Sequence, residues 1–213
     1  MEYWVAMNKK ELQIALILLE SMELAGVVEV DPLYKPQKTD FEKMIEKRFF
    51  EQDDTGVSWN PFVKMVLSSA VHAQSMLEIK NDKFLRKIYF ISETMILLTK
   101  DTDEDIYFFY YVPLIPKAIG GLAKSLEKLK KAMDEQAGDL HAPMSIEGWC
   151  FGEQTLECSL IFANDKFYLI QEESTDMPAE EIKFYKFMEY IGKWVVKTHG
   201  KSLALKEENY ERA

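Results

Sequence analysis

The chain has 213 residues, 47% hydrophobic and 29% charged, the mix of a globular protein long enough to bury a core without disulfides or metal. That composition excludes collagen-like, coiled-coil and wholly disordered chains. Its 36 Asp and Glu against 26 Lys and Arg leave a formal charge of −10, which repels a phosphate backbone and argues against nucleic acid as a partner.

Tyr3–Met7 reads as a short strand, after which Asn8 is placed to cap a helix and Glu11 to reach back in a capping box. The helix is expected from Lys9 to about Leu24, with Leu12, Leu16, Leu19 and Met22 on one face. Ile14, Ile17 and Leu18 cover much of the remainder, so this helix is expected between two packing layers, with Leu16 and Leu19 central. Val27–Val30 reads as a strand. Thr39 and Glu42 form a second capping box, before a stripe of Phe41, Ile45 and Phe49 that Asp53-Asp-Thr-Gly56 should end. Asn60-Pro61 opens a third helix, whose expected stripe is Phe62, Val66, Ala73 and Leu77.

Lys87–Ser92, Met95–Lys100 and Ile106–Val112 are β-branched and aromatic runs between polar turns, which predicts a three-stranded antiparallel meander. A long amphipathic helix through Ile115, Ile119, Leu122, Leu126, Leu129 and Met133 should follow and close at Gly138. Ser145–Phe151, Glu157–Phe162 and Phe167–Gln171 read as strands, and a last helix is expected from the Asp176–Glu181 region to Gly200. A shift of 72 residues lays Ile88 on Leu160, Phe90 on Phe162, Leu97 on Leu169 and Leu98 on Ile170. Apolar alternation alone produces such an echo, and so does a repeat, which would build a sheet about an approximate two-fold axis. The organisation expected is one domain in two halves, 1–138 and 139–213.

Catalytic and metal chemistry finds little support. His72, His141 and His199 lie far apart, each without a second ligand at metal spacing. Cys150 and Cys158 have neither a zinc nor a redox spacing and read as buried free thiols. Asp101-x-Asp103-x-Asp105 starts like a calcium loop, but Ile106 stands where glycine is needed and Val112 where a bidentate Glu belongs. Gly120-Gly121 has no following Lys-Ser/Thr, and no nucleophile elbow occurs. The expectation is therefore no cofactor, no metal and no enzyme. The start of the chain lacks a basic segment leading into an apolar core, so no signal peptide is expected. Its longest apolar runs fall far short of the ~20 residues that span a bilayer. A cytoplasmic protein without membrane insertion is expected.

Two features invite a binding reading. Lys117, Lys124, Lys128 and Lys131 share one face of the long helix, either as a solvated face or as a strip for an acidic helix. On the last helix, Phe184, Met188, Ile191 and Val195 form one face, with Phe187, Tyr190 and Trp194 beside it. The second set serves either a second neighbour within the chain or an aromatic patch that Phe167 and Tyr168 would extend.

In element order the chain resembles the EspG-like chaperones of type VII (ESX/Ess) secretion, including their EsaE-type counterparts. The resemblance rests on Tyr3-Trp4-Val5-Ala6-Met7-Asn8, the leucine-rich Glu11–Leu24, Val27–Val30, Phe41–Gly56, Pro61–Leu77, Lys87–Pro113 and the Tyr111-Val-Pro-Leu-Ile-Pro-Lys-Ala transition. It covers about residues 3–130, and the rest by element order alone. It implies an α+β fold: a central antiparallel sheet of quasi-two-fold character flanked by helical bundles. It also implies a cytosolic chaperone without cofactors that shields a helical secretion substrate, such as an LXG- or EsaD-like toxin or its small helical partner, and that contacts the secretion-machinery ATPase. Substrate would then dock at Phe167, Tyr168, Phe187, Tyr190 and Trp194, with Lys124 and Lys128. The rival reading is an acidic immunity protein that occludes the basic cleft of a secreted toxin.

Overall fold

In the computed structural model of the chain, residues 4–54, 56–81, 84–91, 94–101, 105–112, 144–163, 166–171, 180–183, 185–187 and 189–198 are described. Their elements are β1 (Trp4–Asn8), α1 (Lys9–Leu18), β2 (Glu23–Leu24), β3 (Val28–Glu29), α2 (Lys38–Glu46), β4 (Phe50–Asp53), β5 (Gly56–Trp59) and α3 (Pro61–Val71). There follow β6 (Ser75–Asn81), β7 (Phe84–Ile91), β8 (Thr94–Asp101), β9 (Ile106–Val112), β10 (Met144–Cys150), β11 (Glu153–Ala163), β12 (Lys166–Gln171) and β13 (Glu180–Ile182). Residues 185–187 and 189–198 are helical. The expected helix at 115–133, with Lys117, Lys124, Lys128 and Lys131, lies outside the described residues.

The helix starts follow their side chains. Asn8 Oδ1 accepts from the Glu11 N–H at 2.9 Å, and Glu11 Oε2 accepts from the Asn8 N–H at 3.0 Å, closing the capping box. Asn60 Oδ1 accepts from the N–H groups of Phe62 and Val63 ahead of Pro61. For α2 the cap lies earlier than Thr39–Glu42: the Gln37 N–H donates to Asp40 Oδ2 at 3.1 Å, and the helix starts at Lys38.

Two helix ends depart from expectation for one physical reason. α1 stops at Leu18, not Leu24, because Glu20 takes the left-handed conformation (φ 56°). The Ser21 N–H then reaches back to Leu16 and the Glu20 N–H to Ile17, satisfying the last carbonyls. Arg48 (φ 60°) ends α2 the same way, through Phe49 to Met44 and Arg48 to Ile45. The sequence there carries no glycine, the usual residue for this cap. Met22 is consequently exposed, and Glu23–Leu24 pairs with Val28–Glu29 as a small hairpin. Asp53–Gly56 likewise turns the β4–β5 hairpin instead of closing a helix. α3 ends at Val71, and Leu77 belongs to β6, a strand the meander expectation lacked. Glu180–Ile182 forms an edge strand where the last helix was expected to begin.

The main sheet is nine-stranded in the order β1-β9-β8-β7-β6-β10-β11-β12-β13, each pair antiparallel. Alternation along the strands sends side chains to two faces. On one face Val5, Met7, Tyr89, Ile96, Leu98, Tyr107 and Phe109 pack with Leu12, Leu16, Met44, Val66 and Leu67 of α1–α3. On the other, Leu77, Ile79, Ile88, Phe90, Met95, Ile146, Leu156, Leu160 and Leu169 pack with Phe187, Ile191 and Val195. Each such aliphatic side chain contributes about 1.5–3 kcal/mol by leaving water. The fold is thus mixed α+β around a large antiparallel sheet, with α1–α3 packed on one face and the C-terminal helical segment on the other.

The 72-residue echo has a counterpart in the register. Ile88 lies opposite Leu97 across β7 and β8, and Leu160 lies opposite Leu169 across β11 and β12. All four belong to the same face, and the two hairpins stand at equal distances from the β6–β10 seam.

Candidate functional site

The C-terminal helical segment lies on the face built by β6, β7, β10 and β11. Phe187, Ile191, Val195 and Thr198 are its buried row. Gly148 decides how close it comes: a Cβ there would stand 2.4 Å from Cζ2 of the Trp194 ring and 2.8 Å from Leu156 Cβ. Only glycine leaves the indole that space. Trp194 also meets the Phe90 ring edge-on at 6.1 Å and donates from Nε1 to Thr155 Oγ1 at 3.2 Å.

These contacts place the residues expected to grip a substrate. Phe187 is fully buried, and Trp194 and Tyr190 are half-buried against the same apolar cluster. Tyr168 neighbours buried Leu169 along β12, so it points to the sheet face opposite the helix and does not join Tyr190 and Trp194. Phe167 pairs with Phe162 and Ile182 through its backbone, and its side chain lies outside the described residues, as do Lys124 and Lys128.

The outward arc of the same segment carries the exposed apolar surface. Tyr185 and Val196 are 60% and 65% exposed, and among the described residues nothing fills the space above Gly192. At about 100° per residue these three fall within a narrow stripe. Lys186, Lys193 and Lys197 run beside it, all exposed. From 183 to 198 four lysines stand against one glutamate, a local excess of positive charge on a chain of −10. Glu189 sits among them, 3.1 Å from Lys186 and 2.8 Å from Lys193, and their hydrogen bonds hold its carboxyl below the ordinary range. Sequence periodicity ranked the apolar rows and passed over this stripe, although the lysine spacing outlines it.

On the opposite sheet face an ion ladder crosses the seam. Lys87, 2% exposed, donates to Glu78 Oε2 at 2.8 Å and to the Ala25 carbonyl in the β2–β3 turn. Glu78 stands directly opposite Glu147, an arrangement that costs energy unless bridged. Lys80 bridges it, 2.6 Å from Glu78 and 3.4 Å from Glu147. Burial alone would raise the Glu78 carboxyl, but hydrogen bonds from Lys80 and Lys87 outweigh it and the net shift is downward. The Tyr89 hydroxyl is buried without a hydrogen-bond partner among the described residues, and its pKa is pushed well above the ordinary value by that burial and by Glu78. The ladder ties the β2–β3 turn, β6, β7 and β10 together.

Among the described residues no group of three or more His, Cys, Asp or Glu is arranged to hold a metal ion, and no helix is long and apolar enough to cross a membrane. Cys150 and Cys158 are buried and not joined in a disulfide. His72 is exposed at the end of α3, while His141 and His199 lie outside the described residues. No protein-family model matches the chain, and no curated protein matches it either.

Proposed function

We propose that the chain is a cytosolic, type VII secretion-associated chaperone that binds and shields a helical secretion substrate before export, acting without cofactor or catalysis. The observation that carries this reading is the outward stripe of Tyr185, Gly192 and Val196 beside Lys186, Lys193 and Lys197. An amphipathic helix with an apolar seam and acidic flank fits such a surface, since glycine admits close approach and the lysines match the flank. The finer architecture of the reading, helical bundles about a quasi-two-fold sheet, and the contact with the machinery ATPase belong to the same proposal. An immunity protein that occludes a toxin's basic cleft is the second reading, favoured by the net charge of −10.

The test is co-purification of the full chain with its native partner, followed by binding of the Val196→Glu variant. The chaperone reading expects a partner gripped through a helical export segment. It also expects binding weakened at least ~10-fold, the scale of a lost anchor, with an unchanged melting temperature. Capture of the toxin domain alone would establish the immunity reading instead. Intact binding by the variant would remove the stripe as the docking surface.

A further inference from the structure

We propose that two copies of this chain associate edge to edge through β1, so that one antiparallel sheet runs across a two-fold axis. The sheet has two edges, and they differ. β13 is three residues long and carries Glu180 and Glu181, both features that discourage strand addition. β1 is Trp-Val-Ala-Met-Asn, without charge or proline, and it pairs with β9 in unbroken register from Trp4 to Asn8. Among the described residues β1 has no strand on its other side. An edge of this kind presents backbone donors and acceptors to another strand, apart from the Asn8 N–H, which the capping box holds.

The side chains point the same way. Val5 and Met7 are buried beneath the α1–α3 layer and hold the edge in place. On the sheet face that carries the C-terminal helical segment, Trp4, Ile106 and Tyr110 are 41%, 38% and 37% exposed. Phe108 links them, 6.1 Å from Trp4 and stacked 6.4 Å from Tyr110. An apolar strip that runs to an open edge marks an interaction surface, whereas single exposed residues do not.

Self-complementarity selects a second copy as the occupant. Antiparallel pairing of identical strands is isologous, so one contact is satisfied twice. Centred on Ala6, it sets Trp4 of each copy opposite Asn8 of the other and avoids a Trp–Trp collision. The aromatic strips then become continuous across the axis. No charge lies on these five residues, so the repulsion between two chains of −10 acts only at longer range and is screened by salt. A basic partner at the same edge would show the opposite salt trend. This inference is independent of the proposed chaperone role.

Sedimentation of the full chain at about 0.1 mM should give a species near twice the 24.9 kDa of one chain. Its population should rise as salt is raised from about 0.05 to 0.5 M. Ala6→Lys should return the species to a monomer with the wild-type melting temperature. Ala6→Cys should cross-link to itself under mild oxidation, because directly opposed residues lie within ~4.5–5.5 Å between Cα atoms, while both native cysteines are buried. A wild-type monomer throughout that range overturns the proposal, as does a dimer that weakens with salt. So does a dimer that survives a folded Ala6→Lys variant. If Ala6→Lys fails to fold, the cross-link decides: dimeric Ala6→Cys protein without a covalent dimer also overturns it.

Discussion

Gly148→Ala perturbs the fit between the C-terminal helical segment and the sheet by a single methyl group. Its new Cβ would lie 2.4 Å and 2.8 Å from two atoms of the Trp194 ring, about 1 Å inside ordinary contact for the nearer atom. The ring must move by a comparable amount. That displacement strains the core by about 1–3 kcal/mol. It also breaks the Trp194–Thr155 hydrogen bond, 3.2 Å long and near the limit of good geometry, for about 0.5–1 kcal/mol more. A loss of about 2–4 kcal/mol is expected in chemical unfolding, or roughly 4–16 °C in melting temperature for a chain of this size. A double-mutant cycle with Trp194→Ala isolates the cause. Removal of the indole should cancel at least ~1 kcal/mol of the Gly148→Ala cost, leaving the part due to Leu156 Cβ. A Gly148→Ala loss below about 0.5 kcal/mol, or a cycle with no coupling, would refute the reasoning and detach Trp194 from β10.

Other tests address the opposite face. Lys87→Met leaves the Glu78 carboxylate buried with Lys80 as its remaining partner, and should cost about 3 kcal/mol at neutral pH. Because the folded Glu78 pKa is depressed, its stabilisation is present above the unfolded value of about 4.3 and is lost as pH falls through the folded value. The variant should therefore unfold in acid at a higher pH than the parent, and an unchanged acid transition would count against the ladder. Leu16→Ala should cost about 2–5 kcal/mol, since Leu16 is buried. Leu19→Ala, half-buried beyond the end of α1, should cost at least ~1 kcal/mol less; equal losses would mean that α1 continues as a buried helix past Leu18.

What was legible in the sequence was what local chemistry determines. The capping box at Asn8 and Glu11, Pro61 behind its Asn60 cap, and the alternating runs of β7 to β12 all have side-chain patterns that one structure satisfies. Helix ends were misread where Glu20 and Arg48, residues that rarely take positive φ, replaced the glycine stop signal. β6 was absorbed into α3 because Leu77 continues the helical spacing of Val66 and Ala73; only pairing with β7 and β10 reveals the strand. The candidate docking surface was harder. Periodicity shows that Phe187, Tyr190 and Trp194 are not solvated, but not whether a partner or this chain's own sheet covers them. Gly148, 46 residues before Trp194, answers for the indole, and no local pattern connects the two.

The place of β1 in the sheet also dictates a timetable for synthesis. Its partner β9 lies about 100 residues further along the chain, so at about 5–20 residues per second the ribosome needs roughly 5–20 s to supply it. Until then α1, α2 and α3 have no floor, because Tyr89, Ile96, Leu98, Tyr107 and Phe109 have yet to emerge. The α1–α3 layer thus cannot mature ahead of the meander. Nascent chains of this protein should stay protease-sensitive until β9 has emerged through Val112 and become protected late and together.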